Sequence, residues 1–304
     1  MSRDVVWTDL LDPSREELLA AAPAELLPLA VGELLAPSGP DGPPRPTIES
    51  HGRYLLAILL VPVAVPQEDR LYYQEVDLVA THDAVLTVRK TPAGGDPPFP
   101  VEELAALCAN RESAGLMVHG IVDEIAERFL ALIDALEDEI DEIEEGVERA
   151  EGVRTRRRIA ELRRAIVGVR RTLGPTRDAM RRVLDARVVV AGETELFPTE
   201  LRLLFGDSYD KLLRATEGLD AARELLASVR DYDQARIAES QNEVVKTLTV
   251  VASLVLVPTL ITGFYGQNFA GEFGEAYWSV GVAIGLILGS TIVQLAAFAW
   301  RGWL

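Results

Sequence analysis

The residues best suited to chemistry cluster near the C-terminal end, in ITGFYGQNFAGEFGEAYW, Ile261 to Trp278. Tyr265-Gly266-Gln267-Asn268 brings two side-chain amides, and the glycine permits close approach to backbone carbonyls. Oxygens of this kind are donors that a hard cation accepts. Glu272 and Glu275 follow within a few residues, and the stretch contains no Lys or Arg. Two carboxylates there raise the local cation concentration, an effect that salt screens over ~8–10 Å. The alternative is that they only keep a loop soluble. In isolation the Tyr-Gly-Gln-Asn tetrad reads as an ordinary interfacial turn, with Tyr265 in the aromatic role at a membrane border.

Other chemistries find little support. His51, His82 and His119 are scattered without metal-ligand spacing, and the single Cys108 excludes a disulfide framework or a multi-cysteine zinc site. No nucleophile–base cluster, phosphate-binding loop or organic-cofactor motif is present, so an enzyme is not expected. A net charge of -18 and a pI near 4.6 argue against nucleic acid as a partner. The opening MSRDVVWTDLLDPSREEL has acids where a cleaved export signal needs a basic start and an apolar core.

The elements that must position the tetrad are two apolar runs. No charged residue falls between Thr247 and Gly271, nor between Ala276 and Trp300. Each run is long enough to cross a hydrocarbon layer of about 30 Å at 1.5 Å per residue. Tyr265, Tyr277, Trp278, Trp300 and Trp303 mark their borders. Arg236 and Lys246 precede the first run and Arg301 follows the second, so positive-inside bias places both termini in the cytoplasm and the connector outside.

Upstream, residues 1–100 mix strand and helix signals. RYLLAILLVPVAV (53–65), LYYQEVDLVAT (71–81) and AVLTVRK (84–90) read as strands, separated by loops rich in Pro and Gly. A helical stripe then runs through Val118, Ile121, Ile125, Phe129, Leu132, Leu136, Ile140, Ile143 and Val147, flanked by acids. Residues 153–187 carry twelve arginines. An acidic arm folded on a basic one predicts an antiparallel hairpin turning near Gly152, with Gly174-Pro175 kinking the second arm. A cation store or a nucleic-acid patch are functional readings of these charges; solvated helix faces are the simpler one. A third helix opens at Phe197-Pro198, with Pro198 in its first turn. Its stripe, Leu201, Leu204, Ser208, Leu212, Ala215, Leu219, Ala222, Leu226 and Val229, continues through Val244 and Leu248 into the first apolar run. Residues 199–265 would then form one rod of roughly 100 Å. Pro258 frees a carbonyl in the apolar run, and Thr259 or Thr262 can help satisfy local backbone groups.

QNEVVKTLTVVASLVLVPTLITGFYGQNF (241–269) closely resembles the first transmembrane helix and signature of the CorA family of divalent-cation channels. LFGDSYDKLL (204–213) is similar to the segment opening that family's stalk helix, and LIDALEDEIDEIEEGV (132–147) to its acidic hairpin arm. The resemblance implies an α+β cytoplasmic domain with long helices plus two transmembrane helices, a CorA-like funnel assembled as a symmetric homopentamer in the plasma (inner) membrane. It divides the chain into a cytoplasmic α/β domain (1–100), a helical hairpin region (101–197), a stalk helix (198–246), a pore-lining first span (247–265), an external loop (266–276), a second span (277–300) and a cytoplasmic tail (301–304).

By position, the resemblance makes Tyr265, Gly266, Gln267 and Asn268 the external selectivity filter, with Glu272 and Glu275 beside it. Asn242 and Thr259 would form polar rings, and Val245, Leu248 and Leu256 apolar constrictions. Asp207 matches an aspartate that binds regulatory magnesium between subunits, and Asp96, in AGGD, is the candidate for its partner. Magnesium is the implied transported and regulatory ion, with cobalt or nickel also carried. Gln267 departs from the family's methionine. Members with other residues there include zinc transporters, so a proton-coupled zinc transporter is the alternative. A non-conducting, membrane-anchored scaffold or sensor is a third reading.

Overall fold

Strands buried on both faces read as continuous apolar runs, and β3 (Leu55–Val65), LLAILLVPVAV, is of that kind: its first eight residues are buried. The computed structural model describes residues 5–38, 43–65, 70–149, 152–192, 194–267 and 279–303. The chain divides into two compact units, Met1–Arg230 and Asp231–Leu304.

In the first unit, β1 (Val6–Leu11), β2 (Thr47–Ser50), β3, β4 (Arg70–Ala80) and β5 (Ala84–Lys90) form a sheet in the order β1-β5-β4-β3-β2. β1 runs parallel to β5, and the other pairs are antiparallel. The period of two sends alternate residues to two apolar clusters. Leu55, Ala57, Leu59, Val76 and Leu78 join the larger cluster, which is built on the long helices. Tyr54, Leu56, Val79, Leu86 and Val88 join a smaller one under α1 (Arg15–Ala21) and α2 (Pro28–Leu35). Strands β3, β4 and β5 lie where the sequence places them. β1 and β2 are short, and pairing across the chain, not their own pattern, makes them strands.

After α3 (Val101–Cys108), α4 (Ala114–Glu148) begins at Ser113, whose hydroxyl accepts from the Leu116 amide at 3.2 Å. Every residue of the predicted stripe from Val118 to Val147 is buried. Gly152, at φ 55°, makes the turn into α5 (Val153–Leu184), a conformation that disfavours any side chain. α5 continues through Pro175 and ends three residues short of 187, because Ala186 turns left-handed at φ 54°. The Arg187 and Ala186 amides then donate to the carbonyls of Arg182 and Val183, the mark of a Schellman stop.

The hairpin's charges are less complementary than the sequence suggests. Arg158 does cross to Glu142 at 3.0 Å, but Arg157 pairs with Glu161 on its own helix and Arg182 reaches Glu49 on β2. Each is a surface pair of modest value, so the apolar stripe supplies most of the cohesion.

Helix α6 spans Thr199–Gly266. Pro198 lies just outside it and accepts from the Arg202 amide at 2.9 Å; it caps the helix and is not part of the first turn. From Leu201 to Val229 the predicted stripe is buried with one exception, whereas Val244 and Leu248 beyond it are 65% and 67% exposed. Leu204 is 41% exposed, and Phe205, fully buried against Phe197 and His119, fills the core position. The wider ring selects the helix rotation.

In the second unit, the rest of α6 accompanies α7 (Val280–Trp300), whose start is capped by Ser279. Both are long and apolar enough to cross a membrane, and their apolar windows are 6% and 0% buried. The Thr259 hydroxyl donates to the Val255 carbonyl at 2.7 Å and Thr262 to that of Thr259 at 2.9 Å. Both hydroxyls thus satisfy local backbone carbonyls, as expected, although neither serves Leu254, four residues before Pro258.

Candidate cation pathway and regulatory carboxylate

Asn242, Val245, Leu248, Leu256 and Thr259 stand three to four residues apart along α6, or at multiples of that step, and so share one broad face. Val245, Leu248 and Leu256 are 59%, 67% and 69% exposed, so this face is uncovered within one chain. Glycines Gly263 and Gly266 continue it, and a Cβ at either would meet nothing within 4 Å. Tyr265 sets its ring edge-on to Phe264. Gly266 closes the helix, and the Gln267 amide donates to the Phe264 carbonyl at 3.2 Å, exposing the Gln267 side chain at the helix end. Asn268, Glu272 and Glu275 lie outside the described residues. The arrangement presents apolar and neutral polar groups in turn, without a charge on this face between Leu248 and Gln267.

Asp207 is exposed on α6 and has no hydrogen bond or ion pair among the described residues. What fixes its direction is the next residue. Ser208 is fully buried, and its hydroxyl donates to Asp123 Oδ1 on α4 at 2.7 Å. Lys211, one turn on, reaches Asp123 at 2.8 Å and Glu127 at 2.6 Å. Burial pushes the Asp123 carboxyl up, but Lys211 and Ser208 more than offset it and hold it below the usual range. This clasp sets the rotation of α6 and turns Asp207 outward. Asp207 is thus a hard oxygen donor open to a cation, and one carboxylate per chain requires further ligands from another chain or from water. Among the described residues no group of three or more His, Cys, Asp or Glu is placed to hold a metal.

Asp96 makes no bond to Asp207 within the chain. Both of its oxygens take Arg70, at 2.6 and 2.7 Å, and the guanidinium holds the carboxyl below its usual range. Recruiting Asp96 to an ion would displace that bidentate pair.

Residues 2–301 match the family model described as CorA-like Mg2+ transporter protein. The chain belongs to this family. It is 25% identical over 266 residues to the cobalt/magnesium transport protein CorA of Thermotoga maritima, covering 86% of this chain and 73% of the relative. It is 24% identical over 308 residues to the protein of the same name from Methanocaldococcus jannaschii, covering 99% and 92%. The solved CorA magnesium transporter from Methanocaldococcus jannaschii superposes with a TM-score of 0.76 at 22% identity, over 98% of this chain and 91% of that one. The CorA-like fold, with its α/β domain, long helix and two apolar helices, is therefore the fold of this chain.

One polar cluster of this CorA-like chain escaped the sequence reading. Lys90 on β5 faces Glu75 and Asp77 on β4, at 2.6 and 2.8 Å, and donates to the Glu33 carbonyl of α2 at 2.9 Å. All three side chains are at most 5% exposed. The contact to Asp77 is poorly directed, leaving both its oxygens without a well-formed hydrogen bond. Burial pushes the Asp77 carboxyl up to about 8, against the pull of Lys90. The available signal was Glu75 and Asp77 two apart in a strand, hence on one face, with Lys90 opposite Glu75 in register.

Proposed function

We propose that this chain is a channel-type transporter of divalent cations, magnesium foremost and cobalt or nickel besides, assembled as a symmetric pentamer in the plasma membrane. The observation that carries the reading is the family match over residues 2–301, joined to a helix that leads from the Ser208 clasp to the Tyr-Gly-Gln signature. Gly266, Gln267 and Asn268 form the outer filter and hold a hydrated ion through neutral oxygens. Asn242 and Thr259 ring the path with polar groups. Val245, Leu248 and Leu256 constrict it, gating by dewetting of a narrow apolar neck. Glu272 and Glu275 concentrate cations at the mouth. Inward movement of two charges gains ~4.6 kcal/mol per 100 mV of inside-negative potential.

Asp207 and a carboxylate of the neighbouring subunit share a regulatory ion at high cytoplasmic magnesium and hold the stalks closed. Loss of that ion leaves carboxylates repelling one another, and α6, continuous from Thr199 to Gly266, carries the change toward Leu248. The bias cannot exceed the ion's differential affinity for the two arrangements. Purified protein in liposomes, given magnesium, cobalt, nickel and zinc in turn with and without a proton gradient, tests the reading. Magnesium uptake that ignores the proton gradient supports it; zinc uptake that requires the gradient replaces it with the proton-coupled alternative.

A further inference from the structure

Helix α5 and the first half of α6 enclose a groove of about 820 Å³ within the first unit, inside the range of roughly 300–1,000 Å³ that small-molecule sites occupy. Ile159, Ile166 and Leu226 make its buried apolar floor, and Val167 is left 47% exposed at its edge. Four arginines stand around that floor, Arg163 and Arg170 on α5 and Arg223 and Arg230 on α6. In a chain whose net charge is -18, a groove with more arginines than acids departs from the rest of the surface. The two arginines on each helix are two turns apart, about 10 Å. The positive charge is therefore drawn out along the groove and suits an extended polyanion better than a single phosphate.

Asp220 and Glu224 share the α6 wall with Arg223. Arg163, Arg170, Arg223, Asp220 and Glu224 have no hydrogen bond or ion pair among the described residues. Five ionised groups of both signs thus line one space without neutralising one another. Asp220 and Glu224 are four residues apart, a like-charge pair that weakens a helix unless something lies between them. Two carboxylates do not hold a metal alone, and no cluster of three or more His, Cys, Asp or Glu is found among the described residues. Magnesium, however, is characteristically held by one or two carboxylates together with phosphate oxygens and water. Guanidinium groups take phosphates through paired hydrogen bonds and stack on flat rings. All five charged side chains are exposed, so the groove is open to water. A long acyl chain would stay half wet there, and a bare polyphosphate would leave the floor unused; a nucleobase, apolar on its faces and polar at its edges, fits both.

We propose that this groove binds the magnesium complex of a nucleoside polyphosphate, with the base on the apolar floor, the phosphates along the arginines and the accompanying ion before Asp220 and Glu224. Asp220 and Arg223 lie on the side of α6 turned away from Asp207, so the site is separate from the regulatory carboxylate. Its occupation does not depend on whether the chain conducts.

Equilibrium dialysis of the full-length protein in detergent against labelled ATP, at fixed free magnesium, tests this. Saturable binding is expected, weakened about tenfold or more in each of Arg163→Ala, Arg170→Ala and Arg223→Ala. These positions are exposed, and helix content by circular dichroism should not change. Inorganic triphosphate should bind more weakly than ATP. Removing magnesium with a chelator should weaken ATP binding to the wild type. Asp220→Asn combined with Glu224→Gln should abolish that dependence and bind metal-free ATP more tightly than the wild type does, a gain that a damaged fold cannot produce. No saturable ATP binding, triphosphate binding as tight as that of ATP, an affinity indifferent to all three arginine replacements, or a magnesium dependence kept by the double variant would each overturn the proposal.

Discussion

Replacing Asp77 by Asn removes a buried charge while keeping its volume, and the expected result runs against the usual penalty for breaking a buried ion pair. Asp77 is fully buried, and its carboxyl is pushed up to about 8 from an ordinary 3.8. A folded-state value above the unfolded one means that the folded chain keeps a proton which the unfolded chain releases. Asp77 therefore supports the fold fully below about pH 4, and that support is lost as pH rises toward 8. Glu75 and Lys90 share the titration, and replacing the buried carboxyl by a neutral amide should recover roughly 1–3 kcal/mol. Hydrogen exchange by mass spectrometry on peptides covering β4 and β5, corrected for intrinsic rates, is the assay. Between pH 6 and 8 the wild type should lose protection, whereas Asp77→Asn should hold level and at pH 8 match or exceed the wild type. A variant less protected by a constant amount at every pH would show that Asp77 is a charged partner of Lys90 throughout, and the reasoning would fail.

Lys90→Met strands two acids beneath α2 and should destabilise the first unit by about 3–5 kcal/mol, seen as a lowered denaturation midpoint at pH 8 and a smaller loss at pH 5. Phe205→Ala should cost about 3–5 kcal/mol, whereas Leu204→Ala should stay within about 0.5 kcal/mol; equal effects in urea titrations would contradict the assigned rotation of α6. Asp207→Ala should raise magnesium flux at high internal magnesium in loaded liposomes, and unchanged feedback inhibition would remove that residue from regulation.

The long elements were legible because their apolar period is strong: Val118 to Val147 on α4 and the uncharged run after Thr247 needed no tertiary information. Strands β3 to β5 were legible from β-branched and aromatic runs. What escaped depends on contacts distant in sequence. β1 becomes a strand by pairing with β5, and Trp7 on β1 donates to Thr87 on β5 at 3.2 Å. The substitution of Phe205 for Leu204 in the stripe turns on ring packing against Phe197 and His119, which periodicity alone does not weigh. At the site, the positions of Asn242 to Gln267 followed from the signature and fall on one face of α6. The outward aim of Asp207 required the Ser208–Asp123–Lys211 clasp, whose members are some 85 residues apart.

The central claim is that a ring of these chains conducts a hydrated divalent cation past neutral oxygens. Magnesium uptake by liposomes carrying the purified full-length protein, driven by an inside-negative potential, measures it directly. Uptake that rises with the potential and is lost in Asn268→Ala, with the variant's particle mass unchanged, is the predicted result. Uptake no faster than in protein-free liposomes, at any internal magnesium concentration, would contradict the account.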